Sequence, residues 1–203
     1  MLSFYPESQS ERENYKLLIG SIIPRPIAFV TTKAVDGTLN GAPFSYFNIV
    51  SSNPPMVSLA IQRKNGNMKD TARNITENGE FVIHIVDEQN VDNINKTAAT
   101  LPSNKSEITI AGLTPIPSER ISVPGVQEAK VRFECKLEQI IALDAADGEK
   151  GSDLILGKII TYYIDEEIYE DGKINPVKLA AISRLAGSNY AKVGEIFSIE
   201  RPK

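Results

Sequence analysis

The sequence has one cysteine, one histidine and no tryptophan among its 203 residues, and each shortage closes a class of function. A single cysteine forms no internal disulfide, and with a single histidine it cannot complete the usual closed structural zinc site. Basic side chains are also in the minority. The 22 of them against 26 acidic ones give a formal net charge of −4, and no block of like charge is present to grip nucleic acid or an anionic membrane. Long apolar runs are missing too, since no stretch reaches the roughly 18 consecutive apolar residues that span a bilayer. Met1 to Gly20 carries Glu7, Glu11, Arg12, Glu13 and Lys16 in place of the basic, apolar and small-residue order of a secretory signal, so the expected location is the cytoplasm. The Asn-x-Ser/Thr triplets at Asn74, Asn95 and Asn104 then carry no glycosylation meaning. Neither G-x-G-x-x-G nor G-x-x-x-x-G-K-[ST] occurs, which argues against the Rossmann and phosphate-loop routes to nucleotide binding.

What is present suits one folded domain over residues 1–203, with 41% hydrophobic residues to build its core. Val57, Leu59 and Ile61 share one face of a strand over Met56 to Gln62, and Phe81, Ile83 and Ile85 repeat the pattern. From Lys130 to Leu137, Val131, Phe133, Cys135 and Leu137 alternate with Arg132, Glu134, Lys136 and Glu138, which predicts an antiparallel strand with a wet side. Ile27 to Thr32 and Leu154 to Tyr163 are apolar or β-branched on both faces, as in central strands covered on both sides by other elements or by a second chain. Helices are expected over Lys69 to Asn78, ending at Gly79; over Asp87 to Leu101; and from Pro176 to near Gly187. Many short strands with few, unevenly spaced helices predict a mainly β fold, a β-barrel with helical additions, and an ordered excursion between Pro102 and Pro124.

His84 lies within an apolar strand and reads as a core or sheet-face residue, and Cys135 as a small buried hydrophobe. Asp144, Asp147 and Glu149 lack calcium-loop spacing and read as a solvated turn, so no metal is expected. Three segments carry more chemistry. In Ser21-Ile22-Ile23-Pro24-Arg25-Pro26, prolines on both sides hold Arg25 on a stiff edge or turn, or leave it an ordinary surface arginine. In Asn40-Gly41-Ala42-Pro43-Phe44-Ser45-Tyr46-Phe47-Asn48, small residues permit close backbone approach and the aromatic rings offer planar surface for a flat ligand; an ordinary barrel turn has the same look. Asn65-Gly66-Asn67-Met68-Lys69-Asp70-Thr71 leads into a helix start, where unpaired N–H groups and the dipole suit a phosphate assisted by Lys69 and Thr71, with simple N-capping as the alternative.

Taken in order, S-x-x-P-R-P-I-A-F-V-T-T, N-G-A-P-F-S-Y-F-N, the Asn-Pro-Pro before Met56, K-D-T-x-x-N-I from Lys69 and R-x-x-G-x-x-Y from Arg184 to Tyr190 resemble the flavin reductase-like family of FMN-binding split barrels, flavoredoxins included. The resemblance runs from about Gly20 to Tyr190. It implies a homodimer of split β-barrels that bind FMN near the dimer interface, with flavin reduction by NADH or NADPH. By motif, Thr31, Thr32, Asn40, Ala42, Pro43, Phe44 and Ser45 are expected to line the isoalloxazine and ribityl groups, and Lys69 and Thr71 to hold the phosphate. Arg25, Asn53 and Asp70 are further cofactor-binding candidates, and Arg184 and Tyr190 belong to a motif that closes the site. In that motif Gly187-Ser188 stands where the family often has paired glycines. The flavin carries the chemistry, so no catalytic side chain is assigned. An FMN-bearing electron carrier reduced by a protein, and a non-enzymatic split-barrel binding module, are the competing expectations.

Overall fold

The computed structural model describes residues 1–99, 101–145 and 148–202. The chain opens with helix α1 (Glu11–Ser21) and continues through strands β1 (Arg25–Pro26), β2 (Ala28–Lys33), β3 (Leu39–Phe44), β4 (Phe47–Ser52) and β5 (Pro55–Gln62). Helix α2 (Asp70–Asn78), strand β6 (Glu80–Ile85) and the short helices α3 (Val91–Lys96) and α4 (Glu107–Ala111) follow, then the paired fragments β7 (Pro115–Ile116) and β8 (Gly125–Val126). A long hairpin of β9 (Val131–Asp144) and β10 (Lys150–Ile164) precedes β11 (Tyr169–Glu170), β12 (Lys173–Ile174), α5 (Pro176–Leu179), β13 (Ile182–Arg184) and β14 (Tyr190–Lys192).

The main sheet has seven strands in the order β3-β2-β6-β9-β10-β5-β4, every adjacent pair antiparallel. Its two edges, β3 and β4, are consecutive in sequence and joined only by Ser45 and Tyr46. A chain can pass from one edge to the other in so few residues only if the sheet curls until its edges meet. The edges do not pair with each other, so the barrel is split along this seam. Gly157 permits the curl where the β9–β10 register slips, because a Cβ there would lie 2.3 Å from Phe81 Cζ.

Two cores hold the sheet. Inside the barrel, Val57, Leu59 and Ile61 of β5 meet Phe81 and Ile83 of β6, Cys135 and Ile155. Each of the fully buried aliphatic and aromatic side chains contributes about 1.5–3 kcal/mol by leaving water. Outside, Ile27 and Phe29 pack with Ile94 of α3, Ile108 of α4, Val126 and Ile182. The second core explains why β2 is apolar on both faces: Ala28 and Val30 point into the barrel, and helices of the same chain cover Phe29. His84, fully buried, joins the layers through Nδ1, 3.0 Å from the Phe29 carbonyl oxygen, and Nε2, which accepts the Val126 N–H at 2.9 Å.

Several local expectations give way to longer-range physics. Glu134 sits on the predicted wet side of β9 yet is fully buried, because its carboxylate accepts from the Glu119 and Arg120 N–H groups and the Tyr163 hydroxyl. Burial opposes its charge, but these hydrogen bonds outweigh that and hold its pKa below the usual value. The helix expected over Asp87 to Leu101 is confined to Val91–Lys96, preceded by a turn in which Asp87 Oδ1 accepts from the Gln89 and Asn90 N–H groups. The helix from Pro176 stops after Leu179, where Ala180 takes a left-handed conformation, and the chain becomes strand β13. Asp144 pairs with Lys150 in the hairpin turn. Asp147 lies outside the described residues, among which no acidic, histidine or cysteine cluster could hold a metal. No helix among them is long and apolar enough to cross a membrane.

Candidate functional site

The seam opens into a cleft of about 140 Å³ lined by Pro43, Phe44, Ser45 and Tyr46 from the β3–β4 link, Ala60 and Gln62 of β5, Lys69, Arg25, and Arg184 to Leu185. Pro43 is tolerated because β3 is an edge strand. The Ser45 N–H makes no hydrogen bond among the described residues and remains free for a ligand. Burial pushes the Tyr46 phenol above its ordinary pKa, so that ring presents a neutral hydroxyl. Of the aromatic residues in this segment, Phe44 and Tyr46 line the cleft, while Phe47 is buried in the barrel core.

Lys69 occupies the N-cap of α2, but its side chain makes no capping bond, so the N–H groups of Asp70, Thr71 and Ala72 are left without a side-chain acceptor. The simple N-capping alternative is therefore absent at this helix. The Lys69 ammonium has no ion-pair or hydrogen-bond partner among the described residues. Asp70 turns away to take Arg73 Nη2 at 2.5 Å. A free cation beside an uncapped helix start is a place for an anion.

Beneath that helix start lies a buried polar network. Asn40 Oδ1 accepts from Thr71 Oγ1 at 2.9 Å and from Thr32 Oγ1 at 3.2 Å, and Asn40 Nδ2 donates to Glu107 Oε2 at 3.0 Å. Asn74 Nδ2 donates to Thr32 Oγ1 at 3.1 Å, and Thr31 Oγ1 donates separately to the Pro124 carbonyl at 2.7 Å. Thr31 and Thr32 have no exposed surface, Thr71 has 2% and Asn40 has 8%. The expectation that these four side chains line a cofactor thus becomes a different placement: they fasten α2 and neighbouring loops to β2 and β3. Asn53 stands exposed at the turn between β4 and β5, outside the residues that line the cleft.

Arg25 is held as its flanking prolines suggest. Its nearly buried guanidinium donates to the carbonyls of Ile19 and Ile22 at the end of α1 and of Leu185, at 2.9, 2.6 and 3.0 Å. It therefore ties α1 and the segment after β13 to the seam. Arg184 donates to the Gly187 carbonyl, and its guanidinium carbon lies 4.4 Å from the centroid of the Tyr190 ring, whose hydroxyl donates to Asn95 Oδ1. Arg25, Lys69 and Arg184 all line the cleft, and none has a carboxylate partner among the described residues. In a chain of net charge −4, these uncompensated cations make the seam a local anion site.

Sequence reasoning missed Tyr15 and Ile19 of α1, which border the same cleft. Ser10-Glu11-Arg12-Glu13 carried the signal: Ser10 and Glu13 form a capping box that starts this helix. The family described as flavin reductase like domain matches residues 19–178, a stretch that includes the seam and α2 and ends before Arg184. An uncharacterised protein of Bacillus subtilis is 49% identical, with 100% of each chain covered. The crystal structure of nitrilotriacetate monooxygenase component B from Bacillus cereus superposes with a TM-score of 0.96 at 56% identity over 98% of each chain. The 2-nitrobenzoate 2-nitroreductase of Pseudomonas fluorescens gives 0.88 at 30% identity, covering 99% of this chain and 96% of that one.

Proposed function

The chain belongs to the flavin reductase-like family, and we propose that it is an FMN-dependent oxidoreductase driven by NADH or NADPH. FMN held in the seam would supply the redox chemistry as a hydride acceptor. The observation that carries the FMN assignment is the uncapped start of α2 beside the unpaired Lys69, a site built for a terminal phosphate. The N–H groups of Asp70, Thr71 and Ala72 and the Lys69 ammonium hold that phosphate. Thr32, Asn40 and Thr71 set the helix start against the barrel wall, and Thr31 ties the same wall to Pro124. Pro43, Phe44 and Ser45, with Ala42 next to them on β3, would border the ring, and the free Ser45 N–H would be available to its edge. Arg25 and Arg184 add positive potential where reduction increases negative charge.

With no Rossmann unit among the described residues, the nicotinamide nucleotide approaches through the open mouth of the seam. We further propose that residues 1–203 act as one domain and pair as a homodimer through the apolar groove of Phe47, Ile49, Met56, Ile85, Phe133 and Tyr162, about 460 Å³. Ile49 at 78% exposure and Tyr162 at 52% are costly to leave in water. Sedimentation as a dimer is expected, and a monomer at micromolar concentration contradicts the pairing. The FMN assignment is tested by titrating the apoprotein with FMN and with riboflavin. FMN is expected to bind at least about tenfold more tightly, because riboflavin lacks the phosphate. Equal affinities contradict the site.

A further inference from the structure

Behind Arg184 the seam cleft continues into a second chamber of about 250 Å³, walled by Ile27, Val86, Val91, Ile94 and the Phe44 ring. We propose that this chamber binds a planar aromatic carboxylate, a single-ring monoanion, in contact with the occupant of the seam. Its functional meaning rests on the flavin reading above, although the binding itself does not.

Size, polarity and charge each narrow the occupant. The volume, about 250 Å³, lies just below the roughly 300–1,000 Å³ of pockets for drug-sized ligands and suits a single ring. Ile27, Val86, Val91, Ile94 and Phe44 offer an apolar wall to a ring, while Ser45, Asn95 and Arg184 give the chamber a polar side. No acidic side chain lines the chamber, and its one cation, Arg184, has no ion-pair partner among the described residues. Arg184 Nη2 donates to the Gly187 carbonyl, while Nε and Nη1 have no partners among those residues. The guanidinium is stacked on Tyr190, and Asn95 Oδ1 accepts the Tyr190 hydroxyl at 2.9 Å, so the charged plane is held in place before any ligand arrives. A planar fork of this kind matches a carboxylate through paired hydrogen bonds. One guanidinium and the Asn95 amide nitrogen suffice for a monoanion, whereas a phosphate dianion brings more charge than these donors neutralise. Because Pro43, Phe44, Ser45 and Arg184 line both spaces, the ring of the acid lies next to the flavin position.

Saturation-transfer NMR with benzoate and its uncharged counterpart benzamide tests the proposal, on the protein with and without FMN. Benzoate is expected to bind at least about tenfold more tightly than benzamide, since a charge-assisted pair replaces a neutral one. Arg184→Gln is expected to abolish that preference, and Arg184→Lys to keep only part of it, with melting temperature checking that each variant is folded. Equal binding of the two probes, or a preference that survives Arg184→Gln, overturns the proposal. Should the variants not fold, intermolecular NOEs from benzoate ring protons to Val91 and Ile94 methyls in the wild-type protein support it, and their absence overturns it. Failure of FMN to bind leaves the flavin-free arm intact, so the two readings fail separately.

Discussion

The single histidine makes one pH prediction unusually clean. Burial drives the His84 pKa down from 6.5 to about 3; the Phe29 carbonyl, which favours the charged ring, recovers only part of this, and nearby Arg132 adds repulsion. The geometry gives the same answer. Nε2 already accepts the Val126 N–H, so a proton placed there must break a buried hydrogen bond. The unfolded chain binds this proton near pH 6.5 and the folded chain does not. Its favourable contribution is therefore complete above pH 6.5 and is lost progressively as the pH falls toward the folded value of about 3. At pH 5.5 the unfolded imidazole is about nine-tenths protonated, and integrating from pH 8 gives a loss of about 1.4 kcal/mol. Urea unfolding of the wild type and of His84→Gln at the two pH values isolates this difference, since other groups such as the buried Asp87 titrate in both. His84→Gln, with no titrating ring, is expected to be less stable but to lose this part of the dependence. A wild type no more pH-dependent than the variant, or a folded-state imidazole titrating near 6.5 by NMR, refutes the reasoning.

Other perturbations test different parts of the molecule. Lys69→Ala removes a charge-assisted phosphate contact and is expected to weaken FMN about 10- to 150-fold while leaving riboflavin unchanged; fluorescence titration checks both. Gly157→Ala forces a methyl against Phe81, which is fully buried and cannot move aside, and is expected to cost about 1–3 kcal/mol in urea unfolding. Asp153 is fully buried and receives Arg63 through two nitrogens, so Asp153→Ala is expected to lower stability in urea unfolding by removing this charge-assisted pair. A double substitution that also replaces Arg63 by Met should recover part of that loss.

Local pattern carried much of the barrel. Val57, Leu59 and Ile61 were legible because a strand with one buried face repeats every second residue, and α2 because Gly79 ends it in a left-handed turn. Glu134 was not legible. Its partners on Glu119, Arg120 and Tyr163 come from other parts of the chain, and only the fold shows that a buried carboxylate is satisfied. Helix α1 escaped for another reason: it buries only Ile19, so its apolar stripe is faint and the capping box at Ser10 is the only strong mark. At the site, the motifs supplied Pro43 to Ser45, Lys69 and Arg184, but curling of the sheet brings them into one cleft. They also suggested Thr31, Thr32, Asn40 and Thr71 as contacts, where burial gives them a fastening role. A hydroxyl or amide in a motif looks the same whether it faces a ligand or the protein interior.

We propose that the seam holds a flavin that NADH or NADPH reduces. The most direct test of this proposal is the visible spectrum of the FMN-saturated protein, recorded without oxygen before and after adding each nucleotide. Loss of the oxidised flavin bands with at least one of them is the predicted result. Flavin that binds but stays oxidised with both contradicts nicotinamide-driven reduction and points to a protein electron donor, whereas failure to bind FMN contradicts the site itself.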